Sequence, residues 1–215
     1  MNNFNNWEDF FKKNNFTFFR TSIIQKKYIE TIYNFCKKIN ATNIMEIASG
    51  SGYTSIILDD LLKNNCKIYC TDLSKEIIDN LSNKNYKNIC FEVQDSKKIS
   101  HKNKSIDIIY HQGFLEHFSN NEIVDFLNEQ ARVAKYIIFD VPISRRNNKI
   151  QEFGNERFLS LKEWKSVLKT NNFKILKITG RRFNNWWKKF IPHIIIESDW
   201  FGKYFGESII IICEK

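Results

Sequence analysis

Apolar residues recur at two different periods along this chain, and the periods alternate. Ile24, Tyr28, Ile32, Phe35 and Ile39 fall near helical spacing, which predicts an amphipathic helix over Ile23–Ile39. Asn43–Ala48 is a short apolar run closed by small residues and glycines, the pattern of a buried strand entering a turn. Tyr53–Leu62 reads as a helix and Lys67–Cys70 as a strand; Ser74 opens a further helix with Glu76 and Ile77 behind it. Ile89–Val93 and Ile106–Tyr110 are strands, Glu122–Ala131 lies in a helix, and Tyr136–Val141 is the fifth strand. Ser160-Leu-Lys-Glu163 is a capping-box pattern that opens a helix through Leu168. Phe173–Thr179 and Ser208–Cys213 end the series as two more strands.

Regular alternation of strand and helix predicts an α/β domain with a mostly parallel sheet. Such sheets bind ligands at the carboxyl ends of their strands, so residues just after each strand carry the information. With 215 residues, one domain is the simplest organisation. Its expected parts are an N-terminal lid or helix (1–40), a first half (41–141), and a second half (142–215) with an insertion at about 181–205.

Composition changes this picture little. Hydrophobic residues at 42% and charged residues at 27% are ordinary globular usage, which excludes disorder as the default. The five cysteines form no C-x-x-C pair, which predicts reduced structural thiols and no metal site. The first residues lack a basic stretch followed by an apolar one, and no apolar run is long enough for a membrane span. A cytoplasmic protein without membrane attachment is therefore expected.

Charge changes it more. The net charge is +9, and residues 144–189 hold 13 Lys/Arg against 3 Asp/Glu, so that stretch carries the whole excess. A local positive field favours an anionic partner, although a solvated face accounts for it equally well.

The residues after the strands form a set. Glu46-Ile-Ala-Ser-Gly-Ser-Gly52 follows the first strand; its small residues let a ligand approach the backbone at a helix start. It is no Walker A, since Gly-Lys-Ser/Thr is missing, and the third glycine of a dinucleotide loop is replaced by Ser55. Asp72-Leu-Ser74 follows the second strand, where a carboxylate accepts hydrogen bonds from ribose hydroxyls. Asp95-Ser96 and His111-Gln-Gly-Phe-Leu-Glu-His117 follow the third and fourth.

Together these motifs resemble class I S-adenosylmethionine-dependent methyltransferases of the small-molecule type, over residues 40–140. Ala48 stands where that family usually has a glycine. The resemblance implies a Rossmann-like, seven-stranded, mostly parallel sheet with helices on both faces and an antiparallel last strand. It implies S-adenosyl-L-methionine as cofactor, with Glu46, Ala48, Ser49, Gly50, Ser51 and Gly52 around its methionine part. Asp72 and Leu73 would hold the ribose side, Asp95 and Ser96 the adenine edge, and His111, Gln112 and Gly113 would lie beneath the sulfonium.

Aligning an acceptor with an already activated methyl donor supplies much of the rate. If a base is used, His117 is the first candidate, then Glu116 and His111. Phe19, Arg20, Arg145, Arg146 and Arg157 are candidate substrate residues, arginines suiting a carboxylate or phosphate. The expected acceptor is a small, acidic or carrier-linked molecule, and the expected state is a monomer or homodimer. A nucleic-acid methyltransferase using Arg181, Arg182, Lys188, Lys189 and Trp186-Trp187 is the alternative, and a non-catalytic cofactor-binding partner the third.

Overall fold

The computed structural model describes residues 18–63, 65–83, 86–144, 156–181 and 206–215, with side chains from Gln25 onward. The elements are α1 (Phe18–Ile39), β1 (Asn43–Glu46), α2 (Tyr53–Leu62), β2 (Lys67–Asp72), α3 (Lys75–Ser82) and β3 (Ile89–Val93). Then come β4 (Ile106–Gln112), a 3-10 turn (Leu115–His117), α4 (Asn120–Val133), β5 (Ala134–Pro142), α5 (Leu161–Thr170), β6 (Lys174–Arg181) and β7 (Ser208–Glu214).

The seven strands form one sheet in the order β3-β2-β1-β4-β5-β7-β6. Pairs among β1 to β5 are parallel; β7 runs antiparallel between β5 and β6. The strand order reverses between β1 and β4, so a crevice opens there at the carboxyl edge.

Local chemistry fixes the elements. Ser119 with Glu122 and Ser160 with Glu163 make reciprocal capping boxes on α4 and α5, and the Ser74 hydroxyl accepts from Ile77 N at the start of α3. The Asp107 carboxylate accepts from the backbone of Thr42 and Asn43 at 2.8 and 3.1 Å, pinning the start of β1 to β4.

Strand alternation sorts the buried residues onto two faces. One face packs Ile44, Ile68, Ile108, Tyr110, Ile138, Ile210 and Ile212 under α1, α2 and α3. The other packs Ile137, Phe139, Val141, Ile209 and Ile211 against α4 and α5, around a fully buried Trp164. All five cysteines are free, and burial pushes the thiols of Cys36, Cys66 and Cys213 up to about 12, so they behave as packing groups.

Some boundaries differ from the periodicity. β2, β4 and β6 extend through Asp72, Gln112 and Arg181, two residues further than their apolar runs suggest. Polar side chains end those strands, and hydrophobic spacing reads a polar strand end as loop. β1 stops at Glu46, two residues early, because Ala48 already has φ 51° in the turn. α1 begins at Phe18 rather than Ile23.

Candidate active site

The loop after β1 is built for close backbone approach. Ala48, Gly50 and Gly52 all have positive φ (51°, 51° and 64°), and Gly52 serves as the N-cap of α2 without a side-chain cap. A Cβ on Gly52 would sit 2.9 Å from Leu81 Cδ1, so Leu81 would have to shift, and the positive φ itself favours glycine here. Ser49 N donates to Thr71 O at 3.0 Å and Gly52 N to Ser49 O at 2.9 Å, so the loop is tied to the end of β2.

Asp72 joins the first two loops. Its Oδ2 accepts from Gly50 N and its Oδ1 from Ser74 N, both at 3.0 Å. Each carboxylate oxygen keeps a further lone pair, and the side chain is only half-buried. Beside it stand Leu73, 70% exposed, and Val93, 48% exposed, which pairs with Asp72 across β2 and β3. Two exposed apolar side chains thus flank the Asp72 carboxylate. Periodicity does not single out Val93, because at a strand end it reads as core. Asp95 uses Oδ1 to accept from Lys97 N at 2.8 Å and so shapes the following turn. Ser96 is half-buried in that turn.

Glu46 is buried under the loop. Its Oε2 accepts from Ser55 N (3.2 Å) and Ser55 Oγ (2.5 Å), and Ser55 Oγ shares a bond of 2.8 Å with Tyr110 Oη. Burial raises the Glu46 carboxyl to about 7, with the hydrogen bonds from Ser55 opposing the rise.

The histidines separate. His111 is fully buried on the α4 face, stacked on Phe139 at 5.6 Å, edge-on to Phe114, with Nε2 at 3.3 Å from Gln130 Oε1. Burial lowers its imidazole to about 3. A neutral ring inside the hydrophobic layer suits packing, and this placement argues against the expected roles as base or as a group beneath the sulfonium. Strand alternation explains the difference: Tyr110 and Gln112 point to the α1 face and His111 to the other. Glu116 is buried in the 3-10 turn, with Oε1 3.9 Å from where a Gly113 Cβ would stand, and His117 is half-buried beside it.

Arg157 is engaged locally. Its backbone N donates to Glu116 O at 2.7 Å, and its guanidinium donates to Phe118 O and to Asn120 Oδ1, fastening this segment to the 3-10 turn. Phe19 and Arg20 lie in α1, but their side chains are outside the described residues. Arg145, Arg146, Arg182, Trp186-Trp187, Lys188 and Lys189 also lie outside the described residues.

One further cluster is brought together only by the fold. Gln112 and Asp140 face each other across β4 and β5, and Gln112 Nε2 donates to Asp140 Oδ2 at 3.0 Å. Arg181 donates to the same oxygen from β6. Its guanidinium lies over the ring of Tyr28 on α1, 5.8 Å from the centroid.

A methyltransferase-domain family profile matches residues 44–136. Over residues 44–136 the chain carries a methyltransferase domain of the S-adenosylmethionine-dependent type. Solved methyltransferases share its fold at low identity. Magnesium protoporphyrin IX methyltransferase from Synechocystis, with bound S-adenosylhomocysteine, is 14% identical, with a TM-score of 0.64 over 97% of this chain and 92% of that one. A Clostridium acetobutylicum S-adenosylmethionine-dependent methyltransferase is 15% identical, with a TM-score of 0.62 over 91% and 94%. One from Aquifex aeolicus is 16% identical, with a TM-score of 0.59 over 80% and 81%. No curated protein matches the chain.

In this methyltransferase domain the Gly-rich loop, Asp72 and Asp95 sit at the carboxyl ends of β1, β2 and β3, beside the switch point. No described helix is long and apolar enough to cross a membrane. Among the described residues, no three His, Cys, Asp or Glu side chains come together as a metal site.

Proposed function

We propose that the chain transfers a methyl group from S-adenosyl-L-methionine to a small molecule. The observation that carries the cofactor assignment is Asp72, whose carboxylate clamps Gly50 N and Ser74 N while keeping open lone pairs beside Leu73 and Val93. The residues fit the group. The positive-φ backbone of Ala48–Gly52, at the uncapped start of α2, suits the methionine carboxylate. Asp72 suits the ribose hydroxyls, and Leu73 and Val93 suit the adenine faces, with Asp95 and Ser96 at its edge. When bound, the cofactor supplies an activated methyl group; the protein's own residues orient the acceptor and exclude water. His117 and Glu116 stand at the end of β4 as the groups nearest to base duty.

The acidic nature of the acceptor rests on part of the basic stretch. Lys162, Lys165, Lys169, Lys174 and Lys177 are exposed on α5 and β6 and make a solvated face. Arg157 and Arg181 are engaged internally. Arg145 and Arg146 follow β5 in sequence and remain the cations proposed to read an acidic group.

The test is transfer of labelled methyl from S-adenosylmethionine to small acidic metabolites and, in parallel, to RNA, across a salt series. Label on a small molecule with shallow salt dependence supports the proposal. Label on RNA with steep salt dependence contradicts it.

A further inference from the structure

The α1 face of the sheet is apolar except at its carboxyl edge, where Gln112, Asp140, Arg181 and Tyr28 meet. All four come from different elements: β4, β5, β6 and α1. Arg181 reaches Asp140 across β7, whose Ser208 pairs with both Arg181 and Pro142. The strands on either side of β7 are about 10 Å apart, and only a long side chain passing over a small residue spans that gap.

The pair is buried, with Asp140 and Arg181 side chains 4% and 3% exposed. Its hydrogen bonding is one-sided. Asp140 Oδ2 takes both Gln112 and Arg181, while Asp140 Oδ1, Gln112 Oε1 and Tyr28 Oη have no partner and no exposure. The Gln112 amide orientation follows from its bond: a carboxylate only accepts, so the nitrogen faces Asp140 and the oxygen faces away. Native interiors satisfy nearly all buried polar atoms, and three unmet oxygens gathered at one strand edge call for a ligand. Two of the three are pure acceptors, and the third both donates and accepts. The ligand group that matches these oxygens donates a hydrogen bond.

We propose that Tyr28, Gln112 and Asp140, with Arg181 fixing the carboxylate, form the subsite that binds the hydroxyl or amine of the methyl acceptor. This rests on the methyltransferase reading above and deepens it by naming the acceptor's polar group. Asp140 Oδ1 and Gln112 Oε1 accept from that group, and Tyr28 Oη closes the set. Arg181 and Gln112 act as positioning residues for Asp140 Oδ2. An acidic group elsewhere on the acceptor is compatible with this, because the subsite reads only the donor.

The test uses phenol and its methyl ether anisole, in which a methyl group replaces the hydroxyl hydrogen, titrated by protein-observed NMR with S-adenosylhomocysteine present. Phenol is expected to bind wild type, with shifts at Tyr28, Gln112 and Asp140, and anisole to bind at least about 3- to 10-fold more weakly, the loss of one hydrogen bond. Tyr28→Phe is the key variant, because it removes an unpartnered hydroxyl and leaves the ring. Its Tm is expected to equal or exceed wild type, while phenol binding falls by about 3- to 10-fold. Asp140→Asn, where it folds, lowers phenol affinity further. Equal binding of phenol and anisole overturns the proposal. So does a Tyr28→Phe variant that loses Tm, which would mean that the hydroxyl is already satisfied in the free protein, or one that keeps full phenol affinity. Failure of S-adenosylhomocysteine to bind wild type in the same titration sinks the methyltransferase reading instead.

Discussion

The two halves of the sheet edge are made differently. Over β1, β2 and β3 the site consists of backbone in positive-φ turns, one half-buried carboxylate and exposed apolar side chains. Over β4, β5 and β6 it consists of a buried ion pair and buried unpartnered oxygens. On the proposed assignment, the cofactor meets local loops, each complete within a few residues of its strand, and the acceptor meets side chains that only the tertiary fold brings together. The first arrangement is open and polar on demand; the second carries a desolvation cost in the free protein.

The largest effect that would break this contrast concerns the ion pair. Asp140→Leu leaves the Arg181 charge buried and is expected to cost about 3–5 kcal/mol of folding stability. Asp140→Leu combined with Arg181→Met is expected to recover most of that loss, since the double change also removes the charge left behind. Urea denaturation of wild type, single and double variants checks it. A double variant no more stable than the single one would mean that the pair is held for folding rather than for a ligand.

A smaller effect sharpens the loop side and depends on pH. The folded Glu46 carboxyl sits near 7 against an ordinary 4.5, so the folded state holds its proton more tightly than the unfolded chain. Stability is therefore lost as pH rises from about 4.5 to about 7. Glu46→Gln carries no such charge, keeps an acceptor for Ser55, and should pull ahead of wild type through that window. The gap is expected to reach roughly 3 kcal/mol above pH 7. Thermal melts of both proteins at pH 5, 6, 7 and 8 show the divergence; parallel curves would remove burial as the cause.

The smallest effect is steric. Gly52→Ala places a Cβ at 2.9 Å from Leu81 Cδ1 and forces a positive φ on alanine. It should cost about 1–2 kcal/mol of stability. It should also weaken cofactor binding, since the loop that carries the contact shifts. A stable variant with wild-type affinity would show that Leu81 yields and that the turn tolerates a side chain.

The same contrast explains what the sequence makes legible. Alternating periods of 2 and 3.6 give every strand and helix of the described fold, because each element buries a continuous apolar stripe. Asp72 is legible because its partner Gly50 lies in the preceding turn of one βαβ unit. Asp140 and Arg181 are 41 residues apart in the chain and meet only because β7 inserts antiparallel between their strands. Tyr28 falls on the apolar stripe of α1, where nothing local tells a packing tyrosine from one with a hydroxyl to offer. His111 misleads for a related reason: its position after an apolar strand suggests the rim, whereas its register turns it into the layer under α4.

Calorimetric titration of S-adenosylhomocysteine into wild type, Asp72→Ala and Tyr28→Phe tests the division of the edge most directly. Asp72→Ala should weaken binding by about 10- to 100-fold, the loss of hydrogen bonds to a charged acceptor. Tyr28→Phe should stay within about twofold of wild type, because its hydroxyl faces the other ligand. Wild-type affinity in Asp72→Ala, or a loss in Tyr28→Phe as large as that in Asp72→Ala, would contradict the assignment of the two halves.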